Sequence, residues 1–260
     1  SPIVKTIEGN GDAVQKRKFL LVQSDFTLNL PLSIKMESGF KGTFQNFESQ
    51  ADYFINVNKV SKVDPIRTNA FNYAENITAA YVQFSKSLPG NIRLKSGVRA
   101  ENTFMNGKQK IPYDTSFLIQ RLDFFPYIYV SKPIFKIASY ELNAFLIYRR
   151  TLNRPDYQNL NPAIRYIDEY LYETGNPSLQ PQFTDNIEAN ISFDNMPIFA
   201  IGRNYISDIF SNVVYQDKIN SNILVRTLDN VGKNKENYFS LIAAIPPGGK
   251  YFFVVGTQYN

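Results

Sequence analysis

The feature that most constrains this chain is an alternation of apolar and polar residues with period two, sustained over stretches of ten residues or more. From Leu20 onward, Leu20, Val22, Phe26, Leu28 and Leu30 fall on one side, with Ser24 among them. Gln23, Asp25, Thr27 and Asn29 fall on the other. After Pro31, the residues Ile34, Met36, Phe40 and Phe44 oppose Lys35, Glu37, Lys41 and Gln45. Phe71, Tyr73, Ile77, Ala79 and Tyr81 alternate with Asn72, Asn76 and Thr78. Ile92, Leu94, Val98 and Ala100 alternate with Arg93, Lys95, Arg99 and Glu101. Tyr140, Leu142, Ala144, Leu146 and Tyr148 alternate with Glu141, Asn143 and Arg149, and Phe183, Ile187, Ala189, Ile191 and Phe193 alternate with Gln182, Thr184, Asn186, Glu188, Asn190 and Ser192. A continuous apolar run at 124–130 and candidates near 198–209, 238–245 and 251–259 bring the expectation to ten strands and no helix. A chain rich in Asn, Tyr and Phe suits strands and polar loops better than helices.

Most of these strands are expected to run about ten to thirteen residues, against a usual five or six. A tilted strand crossing a bilayer needs about 9–11. The connections alternate too. Short ones are expected at 31–32, 87–90, 132–136, 194–196 and 246–249, and long ones at 46–70, 104–121, 150–182 and 210–237. Short and long turns in strict succession are the pattern of an outer-membrane barrel. In lipid every backbone N–H and C=O must pair, so strands can cross only as a closed barrel. The expected fold is therefore all-β, an antiparallel up-and-down meander of about ten long strands forming part of a transmembrane β-barrel. Leu20, Phe26, Phe40, Leu142 and Phe183 are assigned to lipid. Asp25, Glu37, Arg93, Lys95, Arg99 and Glu141 are assigned to the lumen. No run of eighteen apolar residues suggests a membrane helix.

Composition narrows the chemistry. With neither Cys nor His, there is no disulfide, thiolate metal site, cysteine nucleophile or imidazole base. The reading is therefore of a protein that is not an enzyme, with no cofactor and no metal. A formal net charge of +5, scattered along the chain, argues against nucleic acid as a partner. Gly9-Asn10-Gly11 begins a G-x-G but lacks the glycine and the βαβ context of a nucleotide site. Asp156, Asp168 and Glu169, like the acidic residues between Asp229 and Glu236, read as solvated loop or hairpin-tip groups. Tyr157, Tyr166, Tyr170 and Tyr172 crowd one long loop. Aromatics there can stack on a ligand or hold the loop together, and these four are the candidate ligand contacts. Arg149, Arg150 and Arg154 cluster where a strand leaves the membrane, and are expected to pack against loop carboxylates.

The stretch from Tyr148 to Phe193 carries Arg154-Pro155-x-Tyr157, Leu160-Asn161-Pro162 and Gly175-Asn176-Pro177-x-Leu179-x-Pro181, followed by an alternating strand with Glu188. With the strand pairs at 71–81 and 97–103, this block resembles the outer membrane β-barrel family of Bacteroidetes, whose members resemble the C-terminal barrels of TonB-dependent receptors. The resemblance implies a 22-stranded barrel in the outer membrane, plugged by a separate globular domain and energised through the TonB system. It implies nutrient uptake, with an unknown small ligand and outer-membrane lipid as partners. Residues 1–260 would then be a partial barrel. The start at Ser1 reads as a cut end, and the order of turns places both chain ends outside the cell. Such a piece is expected to self-associate through its open sheet edges. Two other readings are a soluble all-β ligand- or glycan-binding module and a small barrel protease of the omptin type. The missing His and the direction of the chain ends count against the latter.

Overall fold

A computed structural model describes residues 8–57, 60–64, 68–111, 114–137, 140–162, 164–168, 170–193, 196–245 and 253–259. The strands are β1 (Glu8–Leu30), β2 (Ile34–Val57), β3 (Val60–Val63), β4 (Asn69–Leu88), β5 (Ile92–Ile111), β6 (Thr115–Ile137), β7 (Tyr140–Asn153), β8 (Arg165–Tyr166), β9 (Leu171–Glu173), β10 (Gln182–Phe193), β11 (Met196–Gln216), β12 (Leu224–Ile245) and β13 (Phe253–Tyr259). One helical turn, α1 (Tyr157–Leu160), interrupts them. Among the described residues no helix is long and apolar enough to cross a membrane.

Ten of these strands make the wall, in the order β1-β2-β4-β5-β6-β7-β10-β11-β12-β13, each antiparallel to the next. This is the expected meander. The three short strands belong to the connections. Among the described residues β1 pairs only with β2, and β13 only with β12, so the sheet is open.

Register carries the two faces around the wall. Leu20 lies opposite Phe44, Phe26 opposite Ser38 and Phe40 opposite Ala80, which puts the apolar rows side by side. Leu20 and Phe26 are 57% and 65% exposed, as side chains bathed in lipid rather than packed on protein would be. On the other face, Asp25, Glu37, Arg93, Lys95, Arg99 and Glu141 share one parity, as assigned to the lumen. Tyr81 donates to Asp25 (2.8 Å), Lys35 and Lys95 flank Glu37 (2.9 and 3.7 Å), and Arg121 grips Asp123 through Nε and Nη2 (2.7 and 2.9 Å). Small and large residues interlock across this face. A Cβ at Gly202 would stand 2.4 Å from the Tyr238 ring opposite it, so only glycine leaves room for Tyr238 to reach Glu188 and Asn186.

The structure corrects several expectations. Most wall strands run 20 to 24 residues rather than ten to thirteen. In β1 the apolar row stops at Leu20 and continues as Lys18 and Lys16. The stretch from Leu20 to Leu30, at about 3.3 Å per residue and a tilt near 45°, spans about 23 Å of depth, the height of a barrel's apolar band. The residues beyond it form hairpins that rise above the membrane. Three of the four expected long loops are largely such hairpins, because beyond the lipid no one-sided apolar rule imposes the alternation that reveals a strand.

The expected turn at 132–136 is strand, with a bulge between Pro133 and Phe135 that accommodates the proline. The turns expected at 194–196 and 246–249 lie almost entirely outside the described residues.

Phe71, Tyr73, Ile77, Ala79 and Tyr81 make up the apolar set in β4 by sequence, yet they share the face of Asp25 and Glu37. The lipid row of β4 is instead Thr78, Ala80, Val82 and Phe84. Phe183 also leaves its assigned place. Its ring stacks on Phe125 at 6.4 Å, with Arg121 and Arg150 over it. It opens β10 at the level where β6 and β7 stop pairing, beyond Tyr127 and Arg149, so it is free to turn onto β6.

The short turns at Pro31–Ser33 and Pro89–Asn91 are built alike, with positive φ at their second and third residues. Gly90 takes that conformation without strain, whereas Leu32 adopts φ 60° with its side chain 77% exposed. Leu32→Gly is therefore expected to stabilise the barrel by about 1 kcal/mol. Urea unfolding of the micelle-folded protein measures this, and a lower midpoint would contradict it.

Candidate functional site

The connection between β7 and β10, residues 154–181, does not stand out into solvent. It folds back over the polar face of the wall, and the motif block identified in the sequence explains how. Arg154 ion-pairs with Glu101 of β5 and donates to Thr103 Oγ1 (3.2 Å). Arg99 approaches the other oxygen of Glu101 at 3.3 Å. Burial pulls the Arg154 guanidinium below its ordinary pKa, and the nearby Glu75 opposes that; the group stays charged throughout. Three residues on, the Tyr157 ring packs 4.6 Å from Phe47 and 5.8 Å from Tyr73. Leu160 and Leu179 then insert into a cluster with Phe71, Met105 and Phe117, reaching 0% and 1% exposure. The aromatic set on the lumenal face of β4 is the seat for this loop.

The two Asn-Pro segments brace each other. Gly175 N–H donates to the Asn161 carbonyl (2.9 Å), Asn176 N–H to the Asn159 carbonyl (2.7 Å), and Thr174 Oγ1 to the Pro162 carbonyl (3.0 Å). A Cβ at Gly175 would lie 2.4 Å from that Asn161 oxygen and 2.8 Å from the Asn159 oxygen. The same segment reaches the β11–β12 hairpin. Asn176 Nδ2 donates to the Leu228 carbonyl (3.1 Å), and β9 pairs in parallel with Leu224–Arg226. One loop thus ties β4, β5, β7, β10 and β12 together.

Two cavities flank it. The larger, about 860 Å³, is lined by amides, among them Asn69, Gln158, Asn161 and Asn212, with Glu173 held between Arg165 and Arg226. The second, about 660 Å³, lies against β1 and β2 and is lined by Arg17, Gln45, Glu75, Arg154, Asp156 and Tyr157. Arg17 there donates to Gln45 through Nε (3.1 Å).

The four candidate tyrosines do not share a surface. Tyr157 is committed to the aromatic cluster. Tyr172 donates to Asp217 Oδ2 at 2.6 Å. Tyr166 pairs with Tyr172 along β8–β9, and its side chain lies outside the described residues. Tyr170 is 64% exposed. Two of the three arginines find carboxylates on the wall rather than in the loop: Arg150 meets Asp185 (3.3 Å) and Arg154 meets Glu101, while Arg149 lies on the lumenal face. Among the described residues no group of His, Cys, Asp and Glu side chains is arranged to hold a metal ion. The amide-lined cavity is not legible in the sequence, because its residues come from three separate segments, Tyr53 and Asn69, Gln158 to Gly175, and Asn212 to Leu228, with no shared spacing.

Asp217 organises the tip of the β11–β12 hairpin. The Tyr172 hydroxyl, then the N–H groups of Asn220 and Ile219 (both 2.8 Å), hold its carboxyl below the usual carboxylate range. A depressed pKa stabilises the fold above the unfolded value and loses that contribution as pH falls through the folded one. Amide-exchange protection at Ile219 and Asn220 is therefore expected to hold from neutral pH down to about 3.9 and to be lost below it. Protection that is unchanged through that range would refute the role.

A family model described as the outer membrane protein beta-barrel family matches residues 4–260. No curated protein matches. Among solved structures, the siderophore receptor PirA of Pseudomonas aeruginosa is similar at 12% identity and a TM-score of 0.41, with 94% of this chain and 51% of that chain covered. A mutant of the ferric enterobactin receptor PfeA from the same organism is similar at 12% identity and a TM-score of 0.40, with 94% and 49% covered. The chain spans about half the length of these receptors.

Proposed function

Since the chain belongs to the outer membrane protein beta-barrel family and its place is the outer membrane, we propose that it forms part of the wall of a TonB-dependent-receptor-like barrel that takes up a nutrient. Residues 1–260 are in this reading a partial barrel domain, completed by further strands and a plug. The observation that carries it is the open ten-strand meander with one lipid-exposed and one polar, networked face. Both edge strands, β1 and β13, leave backbone groups that lipid cannot satisfy, which supports completion by additional strands. The TonB system acts on the parent protein through that plug, and the chain itself performs no catalysis. The small ligand meets the barrel beside the inward-folded loop, where the two cavities open and Tyr170 is exposed.

Light scattering after size exclusion, with and without detergent, tests the membrane half of this reading. The chain is expected to be monodisperse only in micelles, and to aggregate or pair through its edges in plain buffer. A clean monomer in buffer would return the soluble ligand- or glycan-binding module to first place. For uptake, cells lacking the parent gene are compared with complemented cells, each on one limiting nutrient: chelated iron, cobalamin, a glycan or a peptide. A growth defect on one of them is expected, and equal growth on all would overturn the transport role.

A further inference from the structure

The lipid-facing rows of β11 and β12 change character abruptly. Phe199 and Ile201 are followed on the same face by Arg203 and Tyr205, and Leu241 and Phe239 are preceded by Asn237 and Lys235. Register sets Arg203 opposite Asn237 and Tyr205 opposite Lys235, so the four residues form one patch. All four are exposed, while the intervening Asn204 and Glu236 face the lumen and bond each other at 3.4 Å.

The depth of the patch follows from counting. β11 begins at Met196, so Arg203 and Tyr205 are its eighth and tenth residues. β12 ends at Ile245, so Asn237 and Lys235 are ninth and eleventh from that end. A tilted strand crosses the hydrocarbon in about 9–11 residues. The patch therefore stands at the outer interface, level with lipid headgroups.

Its chemistry is cationic and ordered. Arg203 donates through Nε to Asn237 Oδ1 (2.6 Å) and through Nη1 to the Tyr205 hydroxyl (3.3 Å), which fixes the plane of the guanidinium. The Arg203 and Lys235 charges lie 5.9 and 5.8 Å from the centre of the same Tyr205 ring. Among the described residues neither forms an ion pair. Asp185, opposite Tyr205 in register, is already held by the Tyr148 hydroxyl (2.9 Å) and by Arg150. A planar guanidinium beside an ammonium suits a phosphate group, the first through paired donors and the second as a point charge.

We propose that Arg203 and Lys235, flanking Tyr205 on the outer face of β11–β12, dock a phosphorylated lipid headgroup of the outer leaflet. Continuity with the apolar rows below decides for a lipid over a free anion, because the acyl chains of the same molecule lie against Ile201 and Phe239. The inference rests on the barrel reading above.

The test is native mass spectrometry of the full-length barrel in detergent micelles, titrated with a bis-phosphorylated glucosamine lipid. Wild type is expected to retain the lipid, to ignore its dephosphorylated counterpart and to be unaffected by millimolar inorganic phosphate. Arg203→Gln with Lys235→Gln is expected to weaken binding by about thirty-fold, about fivefold or more per basic residue at an anionic surface. Lys62→Gln with Lys218→Gln removes equal charge elsewhere and is expected to change nothing. Equal retention by the first double variant, or full competition by inorganic phosphate, would overturn the proposal. Heat-modifiable electrophoretic mobility, read in parallel, reports the folded barrel separately. A folded barrel without lipid binding refutes the headgroup site alone, and loss of the folded form in wild type refutes the barrel.

Discussion

Arg154→Ala is expected to destabilise the folded chain by about 3–5 kcal/mol, the cost of removing one partner from a buried ion pair. Glu101 is the reason. Its side chain is only 5% exposed, on a wall strand, beneath the inward-folded loop. Without Arg154 it keeps only the longer contact to Arg99 at 3.3 Å, and Thr103 loses its donor from the loop. Adding Glu101→Gln to the alanine variant should recover a large part of the loss, because the uncompensated charge disappears with it. Urea unfolding of the micelle-folded protein reads both variants. If the single variant unfolds like wild type, Glu101 is better hydrated than its burial implies, and the anchoring role of the loop falls with it.

Gly175→Ala is expected to act on the loop rather than the wall. The added methyl would sit 2.4 Å from the Asn161 carbonyl oxygen, 2.7 Å from the Asn161 nitrogen and 2.8 Å from the Asn159 oxygen. All three are backbone atoms, so no side chain can swing aside. The two Asn-Pro segments must part, which breaks the bonds from Gly175 and Asn176 and withdraws Leu160 and Leu179 from their cluster. Overpacking of this kind costs about 1–3 kcal/mol, and the lost hydrogen bonds add to it. The readout is protease cleavage within residues 154–181 on an otherwise intact, heat-modifiable barrel. Wild type is expected to resist and the variant to be clipped. A resistant variant would mean that the braced geometry does not hold the loop down.

Much of the wall was legible in the residues, because lipid imposes a one-sided apolar rule that writes period two into every crossing strand. Most of the wall strands, and the lumenal parity of Asp25, Glu37, Arg93, Lys95, Arg99 and Glu141, follow from that rule, while β6 shows instead as a continuous apolar run. Where the rule lapses, the reading lapsed. The upper parts of β2, β5, β6, β11 and β12 lie beyond the lipid, where no one-sided apolar rule acts, and read as loops. Phe71 and Tyr73 are apolar on the wrong side, since what covers them is protein: Leu160, Leu179 and Tyr157 arrive from about ninety residues or more downstream. The loop between β7 and β10 is marked in the sequence by its four tyrosines. Its aromatics divide between packing and exposure according to contacts that no local pattern encodes, so the amide-lined cavity beside it emerged only from the structure.

The topology also implies an order of assembly. Every wall strand pairs with the wall strand that follows it in the chain, so the sheet can grow hairpin by hairpin with short closure distances. The loop between β7 and β10 is different. Its bonds reach back to Thr103 and forward to Leu228 and Arg226, spans of about fifty residues in each direction. It cannot lock until β12 has joined the growing edge. Within this stretch of wall the loop therefore closes over the polar face only after β12 is in place, several hairpins later than the strands that flank it.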